Sequence, residues 1–150
     1  MRYVELARQV GDNWSDRKFV KTEDVTFDAS DTSAAYYTSA FEVNIDTEPT
    51  GPYERYFETA PLSGDLFFDF DGDGSFEHCQ KVDSYLESLG VDERRIYFSG
   101  SKGHHLVVPF ECTGLEPRTD LPELYKRFAQ SLHDIYAPTL DTKVYNARRL

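Results

Sequence analysis

Residues 65–71 read Asp-Leu-Phe-Phe-Asp-Phe-Asp, and this stretch decides how the second half of the chain is interpreted. A short apolar run that follows a turn signal at residues 61–64 is typical of a buried β-strand. Gly72-Asp73-Gly74 ends the run. Because residues i and i+2 of a strand point to the same face, about 6.5–7 Å apart, we expect the carboxylates of Asp69 and Asp71 to lie side by side.

The residues that follow predict helices and strands in alternation. Apolar side chains recur at three- and four-residue spacing from Phe76 to Leu89, which predicts a helix. Two strands are predicted at 95–99 and 105–110, and a last one opens at 139–141. A second helix is predicted between the strands at 105–110 and 139–141, and it carries Leu124, Phe128, Leu132 and Ile135 on one face. This order predicts an α/β (α+β) fold with a small mixed or antiparallel sheet and flanking helices.

Residues 1–64 are harder to interpret than the rest of the chain. Val4, Leu6 and Val10 suggest the apolar side of a short helix that Gly11 would end, and residues 28–50 favour neither helix nor strand. We expect a single domain over 1–150, with an unassigned portion at 1–64 and a motif-bearing portion at 65–150. We also expect the chain to be a truncated core or the first part of a longer protein.

Composition limits the classes of function. The chain carries 27 acidic residues against 16 Lys and Arg, a formal net charge of −11, and this field argues against general nucleic-acid binding. No apolar run approaches the roughly 18–20 residues that span a bilayer, so we expect a soluble, cytoplasmic protein without a membrane partner. Cys79 and Cys112 lack zinc-ligand spacing, which leaves no visible zinc site, and both are expected to be small buried side chains.

The acidic turn, residues 69–74, reads Asp-Phe-Asp-Gly-Asp-Gly and has two interpretations. Two carboxylates on one strand face suit Mg²⁺ or Mn²⁺, which prefer oxygen ligands. Alternatively, residues 69–80 match most of an EF-hand calcium loop, with Asp69, Asp71 and Asp73 at positions 1, 3 and 5 and Gly74 at position 6. Gln80 occupies position 12, where an EF-hand requires a glutamate, and the residues before the loop are strand-like. A calcium-binding or structural module around this loop stays an alternative.

A second candidate site is the glycine turn, residues 99–103, which reads Ser-Gly-Ser-Lys-Gly between two predicted strands. Glycines allow close approach of a ligand, and successive N–H groups in such a turn bind anions. Lys102 adds a positive charge. The following residues, His104 and His105, point to opposite faces of their strand, so at most one shares a side with the ligand of Ser99. The pattern is suited to a triphosphate, although it is not a P-loop.

Three motifs together resemble those of the archaeo-eukaryotic primase superfamily, which includes primase small subunits and primase-polymerases. They read LFFDFD at 66–71, FSGSKGHHLVVP at 98–109 and TLDTKVYNARRL at 139–150. The resemblance covers residues 65–150 and implies a primase-type catalytic core. By position, it implies that Asp69, Asp71 and Asp141 are catalytic and bind two Mg²⁺ or Mn²⁺ ions. It also implies contacts from Ser99, Lys102 and His105 to nucleotide phosphates, with Arg148 and Arg149 as further candidates.

The function implied by this resemblance is template-directed nucleotidyl transfer by a DNA primase or primase-polymerase that makes or extends a primer. Two-metal phosphoryl transfer would carry it out. The expected partners are nucleoside triphosphates and a single-stranded DNA template, together with a helicase or a large primase subunit. A catalytically degenerate primase-like domain that only binds nucleotides or DNA is the second alternative.

Overall fold

The computed structural model describes residues 1–27, 30–50, 52, 54–100 and 102–147, apart from the side chain of Asp16. These residues form an α+β fold with two antiparallel sheets and three α-helices. The chain divides into two compact units. The first is mainly Met1–Ser63, and the second comprises Gly64–Glu116 and Leu121–Asn146. No helix of the described residues is long and apolar enough to cross a membrane.

The first unit is a five-stranded antiparallel sheet with one short helix. Its elements are β1 (Arg2–Val10), β2 (Asn13–Lys21), β3 (Ala35–Thr38), β4 (Glu42–Asn44), α1 (Glu54–Thr59) and β5 (Leu62–Ser63). Strand β1 pairs with β2 along one edge and with β3 and β4 along the other. An isolated bridge joins Leu62 to Arg118. The core of the sheet includes Tyr3, Val4, Leu6, Phe41 and Val43.

The helix predicted around residues 4–10 is wrong, because these residues form strand β1. Val10 pairs with Asn13, which leaves Gly11 and Asp12 as a two-residue hairpin loop. Gly11 has a φ of 56°, the left-handed conformation that tight hairpin turns favour. The glycine therefore marks a turn between two strands, and it does not end a helix.

The second unit contains a three-stranded antiparallel sheet and two helices. Its elements are β6 (Leu66–Phe70), α2 (Ser75–Ser88), β7 (Arg95–Phe98), β8 (His104–Val108) and α3 (Leu121–Ile135). The strands lie in the order β6, β8, β7. These bounds confirm the predicted strands and helices to within two residues. The exception is the predicted last strand at 139–141, which is only an isolated bridge between Phe70 and Leu140.

Side chains alternate along β6 between a core and a second face. Leu66, Phe68 and Phe70 are buried, whereas Phe67 and Asp69 are partly exposed. The buried face continues on β8 with Leu106 and Val108, and helices α2 and α3 contribute further buried side chains, including Cys79, Val82, Leu86, Ala129 and Leu132. The apolar face of β6 thus fixes which way Asp69 points.

The two cysteines differ in their surroundings. Cys79 is buried in α2 as expected, and burial raises the pKa of its thiol to about 11. Cys112 is exposed, contrary to the expectation, because it lies on a short 3-10 helix after β8 and not on the apolar face of an element.

Candidate functional site

Strand β6 lies between two neighbours that place polar residues beside Asp69. On one side, Asp69 pairs with His105 of β8. On the other side, the backbone N–H of Asp141 donates a 2.8 Å hydrogen bond to the carbonyl oxygen of Asp69. The bridge between Phe70 and Leu140 sets the same register. Because directly opposed residues of antiparallel strands share a face, His105, Asp69 and Asp141 form one row on the face away from the core.

Asp69 and His105 interact through their side chains. The His105 Nε2 and Asp69 Oδ1 atoms are 3.2 Å apart. The Asp69 side chain is 18% exposed, whereas that of His105 is 45% exposed. His105 therefore stays accessible to a ligand while it contacts the more buried carboxylate. The row ends at Tyr97 of β7, which pairs with His105 on its other side.

A second row lies next to the first, towards the end of the sheet. Gly103 donates its N–H to the Ser99 Oγ atom at 3.0 Å and accepts from the Ser99 N–H, also at 3.0 Å. A Cβ atom placed on Gly103 would lie 2.9 Å from both the Ser99 Oγ and the Asp71 Oδ1. The hydroxyl and the carboxylate thus flank the space that Gly103 leaves empty. The glycine turn and the acidic turn meet at this point.

Asp141 faces the same side as Asp69, and Tyr145 supports this placement. Burial raises the pKa of the Tyr145 phenol, and the negative charges of Asp69 and Asp141 raise it further. The phenol donates a 2.6 Å hydrogen bond to the carbonyl oxygen of Phe67. The Asp141 Oδ1 atom accepts a 2.8 Å hydrogen bond from the N–H of Lys143. The Tyr145 phenol is thus anchored to β6, the strand that bears Asp69.

The remaining predicted site residues are placed as follows. Lys102 is exposed in the glycine turn. His104 lies on the opposite face of β8 from His105, because adjacent strand residues alternate. Arg148 and Arg149 lie outside the described residues. The structure thus brings Asp69, Asp71, Asp141, Ser99 and His105 to one end of one sheet face.

The donor chemistry of this face suits a hard divalent cation, because Asp69, Asp71 and Asp141 offer carboxylate oxygens. Among the described residues, however, no group of three or more His, Cys, Asp or Glu side chains is placed to hold one metal ion. Mg²⁺ generally binds one or two protein carboxylates and completes its coordination with water and substrate phosphates. The three acids therefore fit a metal that arrives with a phosphate ligand better than a closed protein cage.

The EF-hand alternative lacks its structural context. The residues before Asp69 form strand β6, and Gln80 lies inside helix α2, where an EF-hand would place the end of its calcium loop. Gly74 has a φ of 83° and directly precedes the helix. A helix on each side of the loop is required for that motif, and only the second one is present.

Sequence reasoning missed two residues near this face. Ser75, at the start of α2, contacts the glycine turn, and Tyr145 lies beside two of the acids. Ser75 lies outside the three motifs, and Tyr145 lies within the third motif at a position to which the resemblance assigns no role. The only available signal for Ser75 was its position directly after the Gly72-Asp73-Gly74 turn.

Gly103→Ala is expected to lower the free energy of unfolding by about 1–3 kcal/mol, the usual cost of overpacking. The new Cβ would meet the Ser99 hydroxyl and the Asp71 carboxylate at 2.9 Å each. Urea unfolding measures the effect. The same substitution in a Ser99→Ala background should cost less, since one of the three close oxygens, which include the Phe70 carbonyl oxygen at 3.0 Å, is gone. An equal cost in both backgrounds would show that crowding against Ser99 is not the cause.

No protein-family model, no curated protein and no solved structure matches this chain. What the site can do must therefore be judged from the positions of its own residues.

Proposed function

We propose that the second unit carries out metal-dependent nucleotidyl transfer of the primase type, using nucleoside triphosphates to make or extend a primer on a single-stranded DNA template. The observation that carries the proposal is the row through Asp69. This residue has His105 opposite it on one neighbouring strand and Asp141 opposite it on the other side. Two acidic side chains and a histidine from three separate motifs thereby share one face.

The acids would hold the divalent ions. Asp69, Asp71 and Asp141 supply carboxylate oxygens, and Mg²⁺ or Mn²⁺ bound there would stabilise negative charge on the transferred phosphate. Asp69 is the most constrained of the three, because β6 is paired on both sides at its position. The buried alternation of Phe68 and Phe70 on either side of it keeps the carboxylate pointing to this face.

The glycine turn would hold the triphosphate. Ser99 offers a hydroxyl, Lys102 an exposed ammonium and His105 a half-exposed ring nitrogen. The absence of a side chain at Gly103 lets the glycine turn pack closely against the Asp71 carboxylate, so the turn and the acid stay neighbours. Phosphate-binding and metal-binding groups are neighbours in this arrangement, which in-line transfer of a phosphoryl group requires.

Electrostatics make the proposed binding depend on cations. A triphosphate brings roughly three to four negative charges to a face that already holds three carboxylates, and like charges repel strongly where water is partly excluded. The chain as a whole carries a net charge of −11. Only divalent ions together with basic groups offset that repulsion, so binding should vanish when a chelator removes the metal.

His105→Ala is expected to weaken binding of a non-hydrolysable nucleoside triphosphate in Mn²⁺ by about 1.5–3 kcal/mol, or roughly 10- to 150-fold, because a charge-assisted hydrogen bond is lost. Isothermal titration calorimetry measures the dissociation constant. His133→Ala is the matched control. His133 also contacts a carboxylate, that of Asp134 at 2.9 Å, but it lies on helix α3.

The control variant should bind the triphosphate as the unmodified chain does. Equal losses from both histidines would contradict the assignment of His105 to the phosphates. Metal-dependent binding by the unmodified chain, without extension of a primer on a DNA template, would favour the nucleotide-binding alternative. Absence of metal-dependent binding would remove the proposed function.

A further inference from the structure

Ser75 joins the start of helix α2 to the glycine turn. It is the first residue of α2, follows the acidic turn directly and is only 4% exposed. Its Oγ atom donates a 3.0 Å hydrogen bond to the carbonyl oxygen of Lys102. The same oxygen lies 3.0 Å from the Nδ1 atom of His104. One buried hydroxyl therefore contacts two residues that are 27 and 29 positions further along the chain.

The single hydrogen of the Ser75 hydroxyl links its contact with Lys102 to the tautomer of His104. A serine hydroxyl carries one hydrogen, and a backbone carbonyl can only accept. When Ser75 donates to the carbonyl of Lys102, its contact with His104 is a hydrogen bond only if the Nδ1 atom carries a proton and donates. The neutral ring is then the Nδ1–H tautomer. With the other neutral tautomer, Nε2–H, the contact of Ser75 with Lys102 or the one with His104 has no hydrogen.

The imidazole of His104 has two aromatic neighbours. Its centroid lies 5.0 Å from that of Phe76 and 5.4 Å from that of Phe98. Phe76 follows Ser75 on α2, and Phe98 is the last residue of β7, directly before Ser99. The Nδ1 atom of the imidazole faces Ser75. His104 thus lies close to Phe76, which comes after the acidic turn, and to Phe98, which comes before the glycine turn.

We infer that Ser75 and His104 are positioning residues, which hold the Lys102 end of the glycine turn against the start of α2 so that the turn stays beside Asp71. This inference rests on the proposed function for the identity of the ligand, a nucleoside triphosphate. From strand alternation alone His104 would contribute little, because it faces away from Asp69. The hydrogen bonds of Ser75 give it an indirect role through the backbone of Lys102.

The first test separates positioning from catalysis. Ser75→Ala is expected to raise the KM for the nucleoside triphosphate about tenfold and to change kcat at saturation less than twofold, because the acids stay in place. Ser75→Thr retains the hydroxyl and should stay within about threefold of the unmodified chain. Equal losses in the two variants, or a loss in kcat alone, would overturn the inference.

A second pair of variants tests the donor at Nδ1. In His104→Asn the side-chain amide can place an N–H close to the Nδ1 position, whereas in His104→Gln the amide reaches beyond it. We therefore expect His104→Asn to retain triphosphate affinity about fivefold better than His104→Gln. The inverse order would contradict a donor at Nδ1. Thermal unfolding of both variants shows whether a loss of affinity comes from a loss of folded protein.

A third measurement does not depend on the proposed function. Two-bond ¹H–¹⁵N correlation spectra of the unliganded chain, at a pH where His104 is neutral, report which ring nitrogen carries the proton. We expect the Nδ1–H tautomer in the unmodified chain and a shift towards the Nε2–H tautomer in Ser75→Ala. A dominant Nε2–H tautomer in the unmodified chain would overturn the link between Ser75 and His104. If no triphosphate binds but the Nδ1–H tautomer is found, the link stands and the proposed function fails.

Discussion

Asp69→Asn is expected to reduce metal-dependent extension of a primer about 10³-fold. Asparagine keeps the shape of the side chain but removes the charge, and a carboxylate that binds a catalytic cation contributes several kcal/mol to charge stabilisation. Since each 1.36 kcal/mol changes a rate tenfold, a loss of about 4 kcal/mol corresponds to this factor. Extension of a labelled primer on a single-stranded DNA template in Mn²⁺ measures it, with a chelator-treated sample as the zero.

Asp73→Asn is the matched control for Asp69→Asn. Asp73 belongs to the same acidic run as Asp69 and Asp71. It lies beyond the end of β6, in the turn before α2. The primer-extension rate of Asp73→Asn should stay within about twofold of that of the unmodified chain. A calcium loop of the EF-hand type would use Asp69 and Asp73 alike. Equal effects of the two substitutions would therefore contradict the nucleotidyl-transfer site.

The second half of the chain was predictable because its signals are local. The apolar run before Asp69 ends at glycines, so the strand and its end could be placed from the sequence. Strand alternation separates His104 from His105 by their sequence positions alone. The nearness of Asp141 to Asp69 was expected only from the resemblance of the three motifs, because nothing in the local sequence of residues 139–141 specifies their pairing with β6.

The first half was not predictable for a physical reason. Five consecutive residues of β1, from Tyr3 to Ala7, are buried, so this stretch has no solvent-exposed face and no alternation of buried and exposed residues. Its apolar residues therefore fitted a helix as well as a strand. Strand β1 is also a central strand, since β2 lies along one side and β3 and β4 along the other. Such long-range pairing leaves no periodic signal in a short segment.

Ser75 and Tyr145 show a further limit of sequence reasoning. The role of Ser75 depends on Lys102 and His104, and that of Tyr145 on Phe67, Asp69 and Asp141. A serine at a helix start is ordinarily a local capping residue. Its contact with the glycine turn arises only when β8 packs beside α2. The supporting residues of the site thus come from tertiary packing, whereas its acids and histidine come from motifs.

The position of Asp69 depends on the aromatic residue before it. Phe68 is fully buried, and its ring centroid lies 6.2 Å from that of Phe128 on α3 and 6.4 Å from that of Phe70. A slip of one residue along β6 would bring Phe67 and Asp69 into the core and turn Phe68 outwards. The cost of that exchange is what holds the carboxylate on the face it shares with His105 and Asp141.

Phe68→Ala is therefore expected to lower the free energy of unfolding by about 3–5 kcal/mol, the usual cost when a buried phenylalanine is truncated and leaves a cavity. Urea unfolding monitored by circular dichroism measures it. Ile135→Ala is the control. Ile135 is the last residue of α3 and is 69% exposed, so its truncation should change the free energy of unfolding by less than about 0.5 kcal/mol. The Phe68→Ala variant should also lose triphosphate affinity, because a loosened β6 no longer holds Asp69 in register with both neighbours. A folded Phe68→Ala protein that kept full stability would mean that Phe68 does not anchor the strand.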